Sequence, residues 1–212
     1  ERRSVLEGAN LRDQVLDFID DAVRAQVAFA TAESFPEDWN LEALWQQLKA
    51  LYPISLTPEQ LIEEVGDVSG LSSEYLGEVI GNDALAQYET REQTLTPEIT
   101  RELERRVVLS VLDRRWRDHL YEMDYLQEGI GLRAMAQRDP LVEYQKEGYD
   151  LFTAMMEGIK EESVGAVFYA EVQVERTAQG DLASASLPEL GGGDEELHYS
   201  APGDYQEQES RN

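Results

Sequence analysis

The chain has 212 residues, 42% of them hydrophobic, with 18 basic against 44 acidic side chains and a formal charge of −26. That is enough apolar material for one modest core or two small ones, and so negative a surface repels phosphate backbones and anionic lipid, which excludes nucleic acid as a whole-surface partner. There is no cysteine, so disulfides and thiolate metal sites are excluded, as suits a cytosolic protein.

No run of about 18 apolar residues is present, so no membrane span is predicted. The chain starts Glu1-Arg2-Arg3 without an initiator Met or an apolar leader. It reads as a piece of a longer protein, with no signal peptide.

Residues 4–33 are predicted helical. Leu11, Val15, Phe18, Ala22, Ala25 and Phe29 recur at three/four spacing between polar residues. Pro36 ends this segment, because the residue before a proline leaves the helical region. Asn40 is placed to cap a short helix with an apolar face of Leu41, Leu44, Trp45, Leu48 and Leu51, stopped by Tyr52-Pro53. Thr57-Pro58-Glu59-Gln60 predicts a helix start with a capping box. One or two short helices follow over 58–90, interrupted near Gly66-Asp67 and Gly70.

Thr96-Pro97-Glu98 opens the next helix by the same logic. Its apolar stripe runs Ile99, Leu103, Val107, Val111, Leu120, Met123, Leu126. About 30 residues at a rise of about 1.5 Å make a rod of roughly 45 Å. Gly129-Ile130-Gly131 breaks it, and Asp139-Pro140 caps a partner helix with the stripe Leu141, Tyr144, Gly148, Leu151, Met155, Ile159, Val167. Two long helices joined by so short a link must pack antiparallel. After about Val174 the pattern ends. Gly191-Gly192-Gly193 and the acidic, polar residues beyond it read as a flexible tail, and no alternation long enough for a sheet is found. The predicted class is all-α.

Catalytic motifs are absent. No glycine loop followed by Lys-Ser or Lys-Thr is present, so a nucleotide triphosphate site is not expected in this chain. Of the two histidines, His119 lies on a helix without further ligands at metal spacing, and His198 lies in the tail; both read as structural. Asp20-Asp21 and Glu161-Glu162 read as solvated helix faces rather than an acid–base pair.

The charge distribution carries more. Residues 101–140 hold eight arginines and eight acids, a neutral window in a strongly acidic chain. Pairing along the helix, such as Arg114 with Asp118, accounts for the helical arginines. It does not account for Arg133 and Arg138, which flank the turn around Ala134, Met135, Ala136 and Gln137. A methionine at a loop tip is an adaptable contact for variable side chains. The tip, Gly131, Leu132, Arg133, Ala134, Met135, Ala136, Gln137 and Arg138, is therefore the candidate contact site.

Four runs carry a family likeness: Trp116-Arg117-Asp118-His119-Leu120, Met123-Asp124-Tyr125-Leu126, Gly129-Ile130-Gly131-Leu132-Arg133 and Gln137-Arg138-Asp139-Pro140-Leu141-Val142-Glu143-Tyr144. In this order they resemble the C-terminal region of SecA, the bacterial preprotein translocase motor, in the wording of its actinobacterial members. The resemblance covers about residues 1–170 and is sharpest over 105–160.

It implies a helical scaffold over 1–34 and 96–173, a helical wing over 35–95, a two-helix finger with its tip at 129–139, and an acidic linker over 174–212. It implies that the finger tip contacts the SecYEG channel and the unfolded preprotein. It also implies that the long helix restrains ATP hydrolysis, with Arg114, Arg115, Trp116, Arg117 and His119 as candidate regulatory positions. The parent would be an ATPase using ATP and Mg2+ on nucleotide-binding domains in cis. It would sit peripherally on the inner face of the plasma membrane, with a homodimer left open.

Two departures are plain. Met135 stands where the family often has tyrosine, and the Cys/His zinc tail is missing. No cofactor is expected in this chain itself, and no activity in isolation. The alternative reading is a non-catalytic acidic adapter that docks one protein partner.

Overall fold

The computed structural model describes residues 10–33, 35–132, 139–176 and 182–186. Six helices occur among them: α1 (Arg12–Ala30), α2 (Leu41–Leu51), α3 (Pro58–Val65), α4 (Ser73–Leu95), α5 (Pro97–Gly129) and α6 (Pro140–Tyr169). A strand pair follows, β1 (Gln173–Arg176) with β2 (Leu182–Ser186). The all-α class holds for the body of the fold.

Local chemistry sets the predicted boundaries. The Asn40 side chain accepts from the Ala43 amide at 3.0 Å and starts α2. Thr57 and Gln60 form the reciprocal capping box of α3. Gly66 ends α3 at φ 91°, a left-handed position where glycine carries no Cβ penalty. Asp139 Oδ1 accepts from the Leu141 amide at 2.8 Å and starts α6. Asn40, Thr57 and Asp139 each satisfy a backbone donor that the first helical turn leaves unpaired.

One hydrophobic core runs through all the long helices. Ile19, Val23 and Val27 of α1 meet Leu44 and Leu48 of α2, Leu76, Ile80 and Ala84 of α4, Val107 of α5 and Val164 of α6. Burying one such side chain fully is worth about 1.5–3 kcal/mol. Tyr52 is buried with them, its ring 5.8 Å from Phe168. Its hydroxyl donates to Asp83 at 3.0 Å, which ties the end of α2 to α4. Burial, first, and the Asp83 carboxylate push its ionisation far upward.

Several sequence expectations are corrected. The stripe predicted for the first segment holds at Leu11, Val15, Phe18 and Ala22, which are buried together with Ile19, Val23 and Val27, whereas Ala25 and Phe29 face outward. The predicted start at residue 4 lies outside the described residues. The interruption predicted near Gly66-Asp67 and Gly70 falls between α3 and α4, and within α4 Gly77 and Gly81 face Arg24 and Asp20 of α1, where small residues allow close packing. Thr96 does not cap α5 with its side chain. It is the single residue between α4 and α5, at φ 79°, ψ 150°. Proline at 97 demands the extended ψ, and the chain reversal falls on that one residue, so φ turns positive.

Leu120 is exposed and His119 takes the inward position on α5. On α6, Leu141 is likewise exposed. The stretch expected to lack a sheet carries the antiparallel β1–β2 pair, with Arg176 opposite Leu182. The predicted tail beyond it, including His198 and the Gly191–Gly193 run, lies outside the described residues.

Candidate functional site

The hairpin of α5 and α6 dominates the molecule. Its helices have 33 and 30 residues, or about 50 and 45 Å at a rise of about 1.5 Å per residue. The proximal half belongs to the core through Val107, Val111, Met155 and Ile159. In the distal half α5 and α6 pack against each other. There Gly148 leaves room for Met123, whose Cε lies 3.1 Å from where a Cβ would stand, and Leu126 is buried beside it.

Both ends of the hairpin's base are held by the last turns of α4. Arg91 donates from Nε to the Val167 carbonyl at 2.5 Å and from Nη2 to the Ala170 carbonyl at 2.6 Å. These are carbonyls at the end of α6 that lack a helical partner. Burial lowers the Arg91 pKa. On the other arm, the Tyr88 hydroxyl donates to Glu104 Oε1 at 2.5 Å. Glu104 is fully buried, and desolvation raises its pKa against the opposing pull of Tyr88, Arg101 and Arg12. Burial and the Glu104 hydrogen bond push Tyr88 up to about 12.

The predicted regulatory positions divide. Arg114 does not pair along its own helix; it crosses to Glu162 on α6, and Arg115 Nε reaches the same carboxylate at 2.9 Å. Arg115 lies over Gly158, where a Cβ would come within 3.2 Å of its Cζ. Asp21 pairs with Lys160 at 2.9 Å, and Glu161 accepts from Gln26. Asp21 and Glu161 are exposed, as predicted for solvated helix faces, and they also tie one helix to the next. His119 is 6% exposed, with ring contacts to Trp116 and Phe152 and, among the described residues, no partner for Nδ1. Trp116 and Arg117 face solvent.

Trp116 borders an apolar groove of about 660 Å3 with Phe18, Leu112, Leu120, Phe152 and Met155. A second groove of about 1030 Å3 lies nearer the tip and includes Tyr121, Tyr125, Leu126 and Leu132. Tyr121, Tyr125, Leu132, Leu141, Val142 and Tyr149 are all exposed on the distal half. Tyr121 and Tyr149 are not among the residues expected to form a site. The spacing of Tyr121 and Tyr125, four residues apart, was the available signal, since it places both on one helix face.

At the end of α5 residues 130–132 form a 3-10 turn, and Gly131 and Leu132 are exposed. The other tip positions, Arg133, Ala134, Met135, Ala136, Gln137 and Arg138, lie outside the described residues. Among the described residues no three His, Asp or Glu side chains come together as a metal site. No helix among them is long and apolar enough to cross a membrane.

The family profile of the SecA wing and scaffold domain matches residues 1–171. The chain is 60% identical over 190 residues to the protein translocase subunit SecA of Streptomyces coelicolor, covering 90% of this chain and 20% of that protein. It is 58% identical over 204 residues to the same subunit of Kineococcus radiotolerans, covering 95% and 22%. With the SecA 1 subunit of Thermobifida fusca the identity is 54% over 187 residues, covering 88% and 19%. The chain thus spans about a fifth of the length of these relatives. It belongs to the SecA family of protein translocase subunits, whose wing and scaffold region it matches.

Proposed function

We propose that this chain is the C-terminal helical region of a SecA-type motor that couples ATP hydrolysis to the passage of unfolded preproteins through a SecYEG channel. The supporting observation is the α5–α6 hairpin, anchored at its base by Tyr88, Arg91 and Glu104 and carrying exposed apolar and aromatic side chains along its distal half. A long helical rod held at its base transmits displacement along its length.

In this reading residues 1–34 and 96–173 are scaffold, 35–95 are wing and 174–212 are linker. The tip, Gly131 to Arg138 with Met135 at its centre, contacts substrate and channel. ATP and Mg2+ act on nucleotide-binding domains elsewhere in the parent, which sits on the inner face of the membrane. This chain by itself turns over nothing.

A photo-crosslinking residue at position 135, in a reconstituted translocase with a stalled preprotein, tests the tip. A crosslink to the preprotein is expected. Normal export without any crosslink would remove the tip from the mechanism.

The restraint on ATP hydrolysis is tested at Arg117, which faces solvent. Arg117→Glu in the full-length parent is expected to change basal ATPase. Arg114→Glu is the less clean variant, because it sets a carboxylate against Glu162. Unchanged basal and stimulated rates in a well-folded Arg117→Glu protein would count against a regulatory role.

A further inference from the structure

The α4–α5 junction consists of one residue, Thr96, at φ 79° and ψ 150°. That region of backbone space is essentially reserved for glycine, and a β-branched residue persists there only where its surroundings over-determine it. The surroundings are a polar cluster drawn from three helices. The Tyr88 hydroxyl of α4 donates to Glu104 of α5 and accepts from Arg101 Nη2 at 3.0 Å. Arg101 Nη1 donates to both Glu104 oxygens, at 3.0 and 2.7 Å. Arg101 also pairs with Glu92 of α4, which faces Arg12 of α1 at 3.6 Å. The Arg12 guanidinium lies 5.9 Å from the centre of the Tyr88 ring.

Two properties make this cluster a latch rather than plain packing. Glu104 is fully buried, so losing any partner leaves an uncompensated polar group, and the bonds stand or fall together. Glu92, Arg101 and Arg12 are partly exposed, so water and a competing charge reach the rim. Beyond the junction the two helices part company: α4 packs mainly along α1, and α5 mainly along α6.

We propose that the α4–α5 junction is a latched pivot, in which the Tyr88–Glu104–Arg101–Glu92 cluster holds Thr96 in its strained conformation and opening of the cluster lets Thr96 relax and re-aims α5. The inference concerns the seating of the hairpin and does not depend on what its tip touches.

The chain has no native cysteine, so Glu78→Cys on α4 and Glu128→Cys at the far end of α5 can carry a clean pair of spin labels in the 212-residue chain. Pulsed electron–electron resonance should give one dominant distance in the parent background. Glu104→Gln should bring in a second distance, its share rising about tenfold. Arg101→Gln, at the partly exposed rim, should do the same in a milder background. Thr96→Gly, which relieves strain only in the seated form, should narrow the distribution and suppress the second distance when combined with Glu104→Gln. Latch variants with parental circular dichroism and a single unchanged distance would overturn the proposal. So would a Thr96→Gly chain in which the second distance grows.

Discussion

Arg91 of α4 closes the end of α6 from a different helix, its Nε 2.5 Å from the Val167 carbonyl and its Nη2 2.6 Å from that of Ala170. Helix ends are usually capped by neighbours in sequence; here the cap comes from 76 residues away. The contact fixes where the returning arm of the hairpin stops.

Removing it tests its weight. Hydrogen bonds to a charged group are worth about 1.5–3 kcal/mol each where buried, and less where half-exposed. Arg91→Ala is expected to destabilise the chain by about 2 kcal/mol, read as a lower urea midpoint at unchanged slope. Arg91→Lys should recover part of it, since one ammonium cannot reproduce the two-pronged geometry.

Thr96 offers a gain instead. A glycine-only backbone region costs a β-branched residue about 1–3 kcal/mol, while glycine's extra chain entropy costs about 0.5–1 kcal/mol. Thr96→Gly is therefore expected to stabilise by about 1 kcal/mol in urea denaturation, and Thr96→Ala to do much less.

Glu104 makes stability depend on pH in an unusual direction for an acid. Burial, the largest cause, raises its folded-state pKa above the ordinary value of 4.5. The folded chain then holds a proton that the unfolded chain releases, so this contribution is complete below about pH 4.5 and is lost as pH rises through the folded value. Glu104→Gln should flatten the fall of stability above pH 4.5. An unchanged slope would mean that the side chain is ionised in the fold.

His119 is buried with Nδ1 unpaired between Trp116 and Phe152. An unsatisfied buried polar atom costs about 1–3 kcal/mol. His119→Phe keeps the ring contacts and is expected to raise the thermal midpoint; a fall would point to a partner for Nδ1.

Two glycines on α6 separate helix propensity from packing. Alanine is favoured over glycine inside a helix by about 1 kcal/mol. At Gly148 the new Cβ meets the flexible end of Met123 at 3.1 Å, so Gly148→Ala should stabilise by about 0.5–1 kcal/mol. At Gly158 it meets the Arg115 guanidinium, held by Glu162. Gly158→Ala should gain less, and the difference should vanish in the Arg115→Ala background.

The sequence by itself determined the helix starts at Asn40, Thr57 and Asp139, the all-α class and the long hairpin. Those features rest on hydrogen bonds within one turn and on apolar spacing along one segment, which the chain order already contains. The family likeness was legible for the same reason, in contiguous runs from Trp116 to Tyr144. Only the tertiary structure decided that His119 faces inward and Leu120 outward, that Arg114 serves Glu162 rather than Asp118, and that Glu104 is buried against Tyr88. Each depends on which helix lies opposite, a relation between residues some 16 to 48 positions apart. Thr96 belongs with them. Its local pattern is that of a helix cap, and only two long helices each seated on a different neighbour force it into a glycine's conformation.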